Sequence, residues 1–324
     1  MNEAFARQTR SMPDQLRWAA RLEVPRLARP GSVLVAGMGG SGISGDFAAV
    51  LTERHGVRLQ VVKGYELPRW AEAERPLVVA ISYSGDTEET LSIAEAARAA
   101  SLDLVGVSSG GALRELDLAH HVEVPGGNQP RASLGYLLGA LCRVLEQASL
   151  LTDAGLDEAA DVAASVYDGV EVTALADDLE GRIVIPWAGS PLTAPVAQRW
   201  KTQINENAKA PAWWSVLPEA DHNEIMGFSA LSEVTREGAV VVPLRDIDDH
   251  PRVDVRFEQT RRLTEGDVLW ADPVHSRGGG VLARMVSLAA VADLVTLELA
   301  ERYGVDPESV ALIEDLKQSL KESG

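Results

Sequence analysis

Short apolar runs recur along the chain, each ending in a turn of small polar residues and followed by a segment with helical spacing. Ser32-Val33-Leu34-Val35-Ala36, Leu77-Val78-Val79-Ala80-Ile81 and Leu104-Val105-Gly106-Val107 are continuous apolar stretches of strand length. Such runs predict strands buried on both faces. Gln60-Val61-Val62 and His121-Val122-Glu123-Val124 add shorter strands. Residues 44–51 and 90–100 read as helices, and a long helix is predicted over 132–151. Residues 1–30 read as helical and peripheral, with an amphipathic piece over 12–20. Strands alternating with helices predict a parallel α/β sheet with helices on both faces.

The pattern then repeats. Arg182-Ile183-Val184-Ile185-Pro186 stands where the first strand stood, and Ala239-Val240-Val241-Val242-Pro243 corresponds to the 77–81 run. Val268-Leu269-Trp270-Ala271 takes the place of 104–107, and residues 280–303 form a second long apolar helix. An acidic helical stretch, 156–179, carries the chain between the two units. The matching order predicts two doubly wound α/β domains of one ancestry, over 1–152 and 153–304. A C-terminal helix is predicted in 305–324, with Ala311, Leu312, Ile313, Leu316 and Leu320 available for an apolar side.

Two strand-to-helix junctions in the first half carry unusual residues. One is Ser82-Tyr83-Ser84-Gly85-Asp86-Thr87, three hydroxyls and a glycine where free backbone N–H groups and a helix dipole make an anion site. The other is Gly37-Met38-Gly39-Gly40-Ser41-Gly42. By letter it fits the dinucleotide fingerprint, but Arg58-Leu59-Gln60-Val61-Val62-Lys63 offers no acid for a ribose at the next strand end. On its own it also reads as a tight turn with no ligand. The second half lacks the hydroxyl cluster, since Pro243-Leu244-Arg245-Asp246 follows its central run. A single phosphate cradle in the first half is therefore expected. Asp86, Glu88 and Glu89 crowd its helix start and are expected to point outwards; Asp86 filling the cradle would overturn the phosphate reading.

Composition narrows the partners. The 324 residues carry a net charge of −18 with no basic tract to offset it, which argues against general nucleic-acid binding. A phosphate would have to be held by local donors against that field. No run is long and apolar enough to suggest a membrane span, no signal-peptide pattern is visible at residues 1–8, and cytoplasm is the expected compartment. Cys142 is the sole cysteine, so intrachain disulfides and cysteine zinc sites are excluded, and it is expected to pack in the long helix. The histidines show no metal-ligand spacing. Trp213-Trp214 are expected in the core, the alternative being that they flank the cleft or an interface.

Together the two loops resemble the sugar isomerase (SIS) domain of phosphosugar isomerases and phosphosugar-binding regulators. Pro130-Arg131-Ala132-Ser133, Asn205-Glu206-Asn207-Ala208-Lys209, His222-Asn223-Glu224 and the terminal-helix Lys317 extend the likeness over nearly the whole chain. In these motifs the chain resembles the bifunctional phosphoglucose/phosphomannose isomerase family. The resemblance implies two SIS-type domains, the second degenerate, and interconversion of glucose 6-phosphate or mannose 6-phosphate with fructose 6-phosphate, without metal or other cofactor. It implies a proton-transfer base at Glu206, ring-opening groups at His222 and Lys317, and a charge-stabilising Arg131. Phosphate binding falls on Gly39, Gly40, Ser41, Ser82, Ser84 and Thr87. A homodimer is implied, with His222 supplied by the neighbouring subunit.

The chemistry suits these residue types. Ring opening needs an acid and a base near neutrality, the province of histidine, and proton transfer through an enediolate suits a carboxylate flanked by fixed positive charge. Read singly, Glu206 also fits a surface helix, His222 a solvated loop, Arg131 a helix start and Lys317 a dipole-complementing lysine beside Lys321. A phosphosugar sensor using the same loops is the competing expectation; it would bind without turnover and would not need Glu206. A dinucleotide-dependent oxidoreductase would instead require the incomplete fingerprint to function.

Overall fold

A computed structural model describes residues 2–116 and 118–323. The first half builds one sheet from β1 (Ser32–Ala36), β2 (Arg58–Val62), β3 (Leu77–Ile81), β4 (Leu104–Ser108) and β5 (His120–Glu123). Every pairing is parallel, in the order β2-β1-β3-β4-β5. β1, β3 and β4 are buried at every position, which is why their sequences run apolar without alternation. Each buried Val, Leu or Ile of these strands contributes about 1.5–3 kcal/mol from apolar area removed from water.

The second half repeats that plan with shorter strands. β6 (Ile183–Ala188) and β8 (Ala239–Arg245) lie at its centre, β7 (Ser215–Val216) flanks β6, and β9 (Leu269–Trp270) and β10 (Val274–His275) pair in turn with β8. β7-β6-β8-β9 thus mirrors β2-β1-β3-β4, as the repeated order of apolar runs predicts. β7 is only two residues long and carries no apolar run, so periodicity gave no sign of it.

Between the sheets lies a helical layer. Helices Leu134–Gln147 and Val281–Arg302 are the two long apolar helices, and Cys142 is fully buried on the first of them. Burial in this apolar layer pushes the Cys142 thiol pKa well above the ordinary range, so the thiol stays protonated. The acidic connector resolves into two helices, Leu156–Gly169 and Thr173–Leu179. Within this layer Asp293 is 1 % exposed and accepts from Arg199 Nη2 at 3.0 Å, Gln203 Nε2 at 2.6 Å and the Tyr167 hydroxyl at 2.8 Å. A buried carboxylate so completely partnered ties three helices together, and removing one partner costs about 3–5 kcal/mol.

Two expectations change here. The N-terminal residues are not peripheral: helices Glu3–Arg10 and Met12–Ala20 bury Phe5, Leu16 and Ala19 completely. The close fit comes from Gly139, where an added Cβ would meet the Ala19 Cβ at 2.3 Å. Trp213 and Trp214 are not core residues either, being 57 % and 37 % exposed; Trp214 lines a surface cleft with Asp46, Pro191 and Gln198. They follow the helix Ala194–Asn207 in an extended segment on the flank of β6, where the Trp213 N–H donates to the Val184 carbonyl at 3.2 Å while both side chains keep contact with solvent.

The C-terminal helix Ala311–Ser323 stands apart. Its apolar side chains Leu312, Leu316 and Leu320 are 85 %, 59 % and 52 % exposed.

Candidate active site

The chain order reverses between β1 and β3, the place where open α/β sheets bind ligands at strand ends. The Gly37–Gly42 and Ser82–Thr87 loops therefore meet side by side, and a Cβ at Gly37 would lie 3.1 Å from the Ile81 carbonyl oxygen. Both loops open helices, Gly39–Glu53 and Glu88–Ala99, and neither helix is capped by a side chain. Their first N–H groups thus remain available to an anion.

The second loop is held from inside. Ser82 is fully buried, and its hydroxyl oxygen accepts from the backbone N–H of Gly85 at 3.0 Å and of Thr87 at 3.3 Å, while lying 2.8 Å from Thr87 Oγ1. Ser84 is exposed and Thr87 half-buried, so their hydroxyls, with the nearly buried Ser41, line the surface. Gly85 has φ +81° and packs directly beneath Gly110, with no space for a side chain. Asp86 does not fill the cradle: its Oδ1 accepts from the Ala112 N–H at 2.9 Å, pinning the loop after β4.

From the first loop the site continues into the helical layer. A Cβ at Gly40 would lie 3.1 Å from the Pro130 carbonyl oxygen, so Arg131 begins beside the cradle. The Arg131 side chain is 4 % exposed, with its guanidinium over the Phe5 ring at 4.6 Å. Nε donates to Asn207 Oδ1 at 2.9 Å, and Nη2 donates to the carbonyls of Pro307 at 2.5 Å and Glu308 at 2.9 Å. Nη1 faces Glu206 Oε2 at 3.5 Å. Burial pulls the guanidinium pKa down, and Glu206, Glu308 and Asp306 push it back up; the group stays cationic.

Glu206 and Asn207 end the helix Ala194–Asn207. Arg199, one helical face away, donates to the Arg131 carbonyl at 3.3 Å as well as to Asp293. The buried Asp293 cluster thus holds both Arg131 and the helix bearing Glu206. The polar spacing of Arg199, Gln203 and Asn207 on that helix, four residues apart each time, is the signal in the sequence.

His222 and Lys317 lie outside this constellation. His222 is exposed at the end of the short 3-10 turn Glu219–His222, which is fastened through Asp221 to Arg256 and Thr260, each at 2.8 Å. Lys317 is exposed on the terminal helix, and its side chain makes no hydrogen bond or ion pair with the described residues. The two loops, Arg131 and Glu206 are brought together; among the described residues no polar contact joins His222 or Lys317 to them. Among the described residues no group of His, Cys, Asp and Glu is gathered for a metal ion.

In the second half the equivalent junction is closed. Gly189 and Ser190 donate their backbone N–H groups to Thr193 Oγ1 at 3.0 and 3.1 Å. Asp249 Oδ2 accepts from the Asp246 N–H and from Arg245 Nε, each at 3.0 Å, and a Cβ at Gly189 would lie 3.1 Å from it. A carboxylate of the chain stands there in place of an anion.

Comparison with known proteins agrees with the geometry. Over 299 residues the chain is 37 % identical to the bifunctional phosphoglucose/phosphomannose isomerase of Aquifex aeolicus, covering 89 % of this chain and 90 % of that one. The chain belongs to this family. A second member, from Thermoplasma volcanium, is 32 % identical over 98 % of this chain and 99 % of its own. Residues 171–320 match the bacterial phospho-glucose isomerase C-terminal SIS domain. Among solved structures, the C-terminal domain of glucosamine-fructose-6-phosphate aminotransferase from Francisella tularensis superposes with a TM-score of 0.70 over 94 % of this chain and 98 % of that one. At 14 % identity that likeness concerns the fold alone, two SIS-type α/β units.

Proposed function

We propose that this chain interconverts glucose 6-phosphate, and mannose 6-phosphate, with fructose 6-phosphate. The observation that carries the reading is the placement of the Glu206 carboxylate against the buried Arg131 guanidinium, beside the two strand-end loops. The cradle grips the phosphate through the first N–H groups of two helices and the hydroxyls of Ser41, Ser84 and Thr87, with Ser82 shaping the turn. Glu206 removes the C2 proton of the open aldose; the C2–H electron pair forms the C1–C2 double bond, and the carbonyl oxygen takes the negative charge. Arg131 stabilises that enediolate by preorganised charge. The proton of the C2 hydroxyl passes to O1, and return of the proton from Glu206 to C1, with the electron pair on O2 forming the C2 carbonyl, yields the ketose. Ring opening falls to His222 and Lys317, a base at the anomeric hydroxyl and an acid at the ring oxygen.

The site is completed in a homodimer, with the neighbouring copy bringing His222. Supporting this, no polar contact among the described residues joins His222 to Glu206, and its segment exposes Trp213, Met226, Leu231 and Val234 at 57 %, 69 %, 64 % and 64 %. Such apolar exposure on one segment suits a covered surface. The cytoplasm is the matching compartment for a phosphosugar enzyme.

The test is turnover of both sugar phosphates together with Glu206→Gln, which should keep ligand binding and lose exchange of the C2 proton with solvent. Binding without turnover by the unaltered chain would favour the sensor instead. For the shared site, mixing inactive Glu206→Gln and His222→Ala chains should restore activity, because one mixed site then holds both groups. Mixed dimers that stay inactive would show that the histidine is not shared.

A further inference from the structure

Lys209 follows the helix that carries Glu206, in the left-handed conformation with φ +56°. Glycine or asparagine ordinarily takes that position, because a Cβ there crowds the backbone. The lysine side chain is bonded in a way that accounts for its presence. Its ammonium has three donors and finds three backbone carbonyls: Glu206, in the last turn of the helix, Pro307 at 3.4 Å and Ser309 at 2.6 Å. It makes no ion pair with any carboxylate among the described residues. Arg131 Nη2 takes the Pro307 and Glu308 carbonyls from the other side. Asn2 Nδ2 holds Asp306 at 3.1 Å and Glu308 at 2.9 Å.

The segment 306–309 is therefore strapped down, and the helix Ala311–Ser323 starts immediately after it. Beyond the strap, residues 311–322 are all exposed. Lys317 lies about 9 Å along the axis from Ala311 at 1.5 Å per residue, so the base of its helix is the part of the chain that fixes where the lysine can reach. Lys209 also touches the carbonyl of Glu206, so one side chain sets the spacing between the Glu206 turn and the origin of the Lys317 helix. It further keeps Pro307 in place for Arg131 Nη2, which leaves Nη1 facing Glu206.

We infer that Lys209 is a positioning residue for the isomerisation, a clamp that registers the Lys317 helix and the Arg131 fork against Glu206. This inference rests on the proposed reaction at that site.

The experiment compares Lys209→Gly and Lys209→Arg with the unaltered chain. Glycine suits the left-handed backbone, so Lys209→Gly should fold with an unchanged or higher thermal midpoint while losing the clamp. Its kcat should fall by about tenfold or more, the scale on which misplacing catalytic groups acts. KM should stay nearly constant because the phosphate cradle is untouched. Lys209→Arg, which keeps a cationic donor, should recover most of the loss. Hydrogen exchange of the segment 306–316 should speed up in Lys209→Gly and not in Lys209→Arg. A Lys209→Gly chain with unaltered kcat and exchange would overturn the clamp. Absence of turnover in the unaltered chain would sink the proposed reaction instead, and the exchange comparison would then decide the strap by itself.

Discussion

Arg131 Nη1 lies 3.5 Å from Glu206 Oε2, while Nη2 of the same guanidinium is bound to the Pro307 and Glu308 carbonyls. One side chain thus divides its donors between a carboxylate at the site and the backbone that launches the terminal helix. Because it is buried, it acts in a medium where fixed charge is stronger than in water.

Arg131→Lys should therefore be far from conservative. A lysine offers a single ammonium where the fork makes contacts in three directions. We expect kcat to fall by about 10²–10³-fold and stability by about 2–4 kcal/mol from carbonyls and Asn207 left unpartnered. Steady-state kinetics and denaturant melts check both.

Gly85→Ala should disable the phosphate cradle. With φ at +81° and a Cβ 1.8 Å from the Gly110 carbonyl oxygen, the loop must move. A cost of about 2–4 kcal/mol is expected from strain and overpacking, with inorganic phosphate losing its ability to compete with substrate. Wild-type phosphate inhibition in this variant would count against the cradle.

His121 should lend the fold a pH dependence. Its ring lies over Gly106, with Nε2 2.9 Å from Ser108 Oγ, and so supports the loop that covers Gly85. Burial, and then Arg114, hold its pKa below the ordinary 6.5, with Glu123 opposing. The folded chain therefore binds this proton less readily than the unfolded chain. Its contribution to stability is complete above pH 6.5 and declines as pH falls from there towards the folded value. The thermal midpoint of the parent should drop more between pH 7 and pH 5 than that of His121→Gln, about the range in which an ordinary histidine titrates. Parallel pH profiles would contradict this.

Removing residues 311–324 should separate fold from function. Residues 311–322 are all exposed, so the thermal midpoint at low protein concentration should hardly change. Turnover should be lost with Lys317. Unimpaired turnover would remove Lys317 from the reaction.

The two strand-to-helix junctions were legible because their signal is local: a glycine and hydroxyl cluster directly after a buried strand and before a helix needs no distant partner to be read. The parallel sheets and their repetition were legible for the same reason, since strands buried on both faces must run apolar. Lys209 stood within the motif Asn205-Glu206-Asn207-Ala208-Lys209, but nothing along the chain says that its ammonium reaches carbonyls about a hundred residues away.

By itself the sequence determined the strand-helix alternation, the duplicated order and the two glycine- and hydroxyl-bearing junctions of the first half, because these follow from periodicity and from backbone chemistry at helix starts. Only the tertiary structure decided that Ser82 builds the turn, that the N-terminal helices and Phe5 wall in Arg131, and that Trp213 and Trp214 face outwards. It alone separated Arg131 and Glu206, which meet, from His222 and Lys317, which do not. The reason is physical. Burial and hydrogen-bond partners are set by what packs against a residue from elsewhere in the chain, and Arg131, with partners at Phe5, Asn207 and Pro307, is defined by three segments that no local pattern connects.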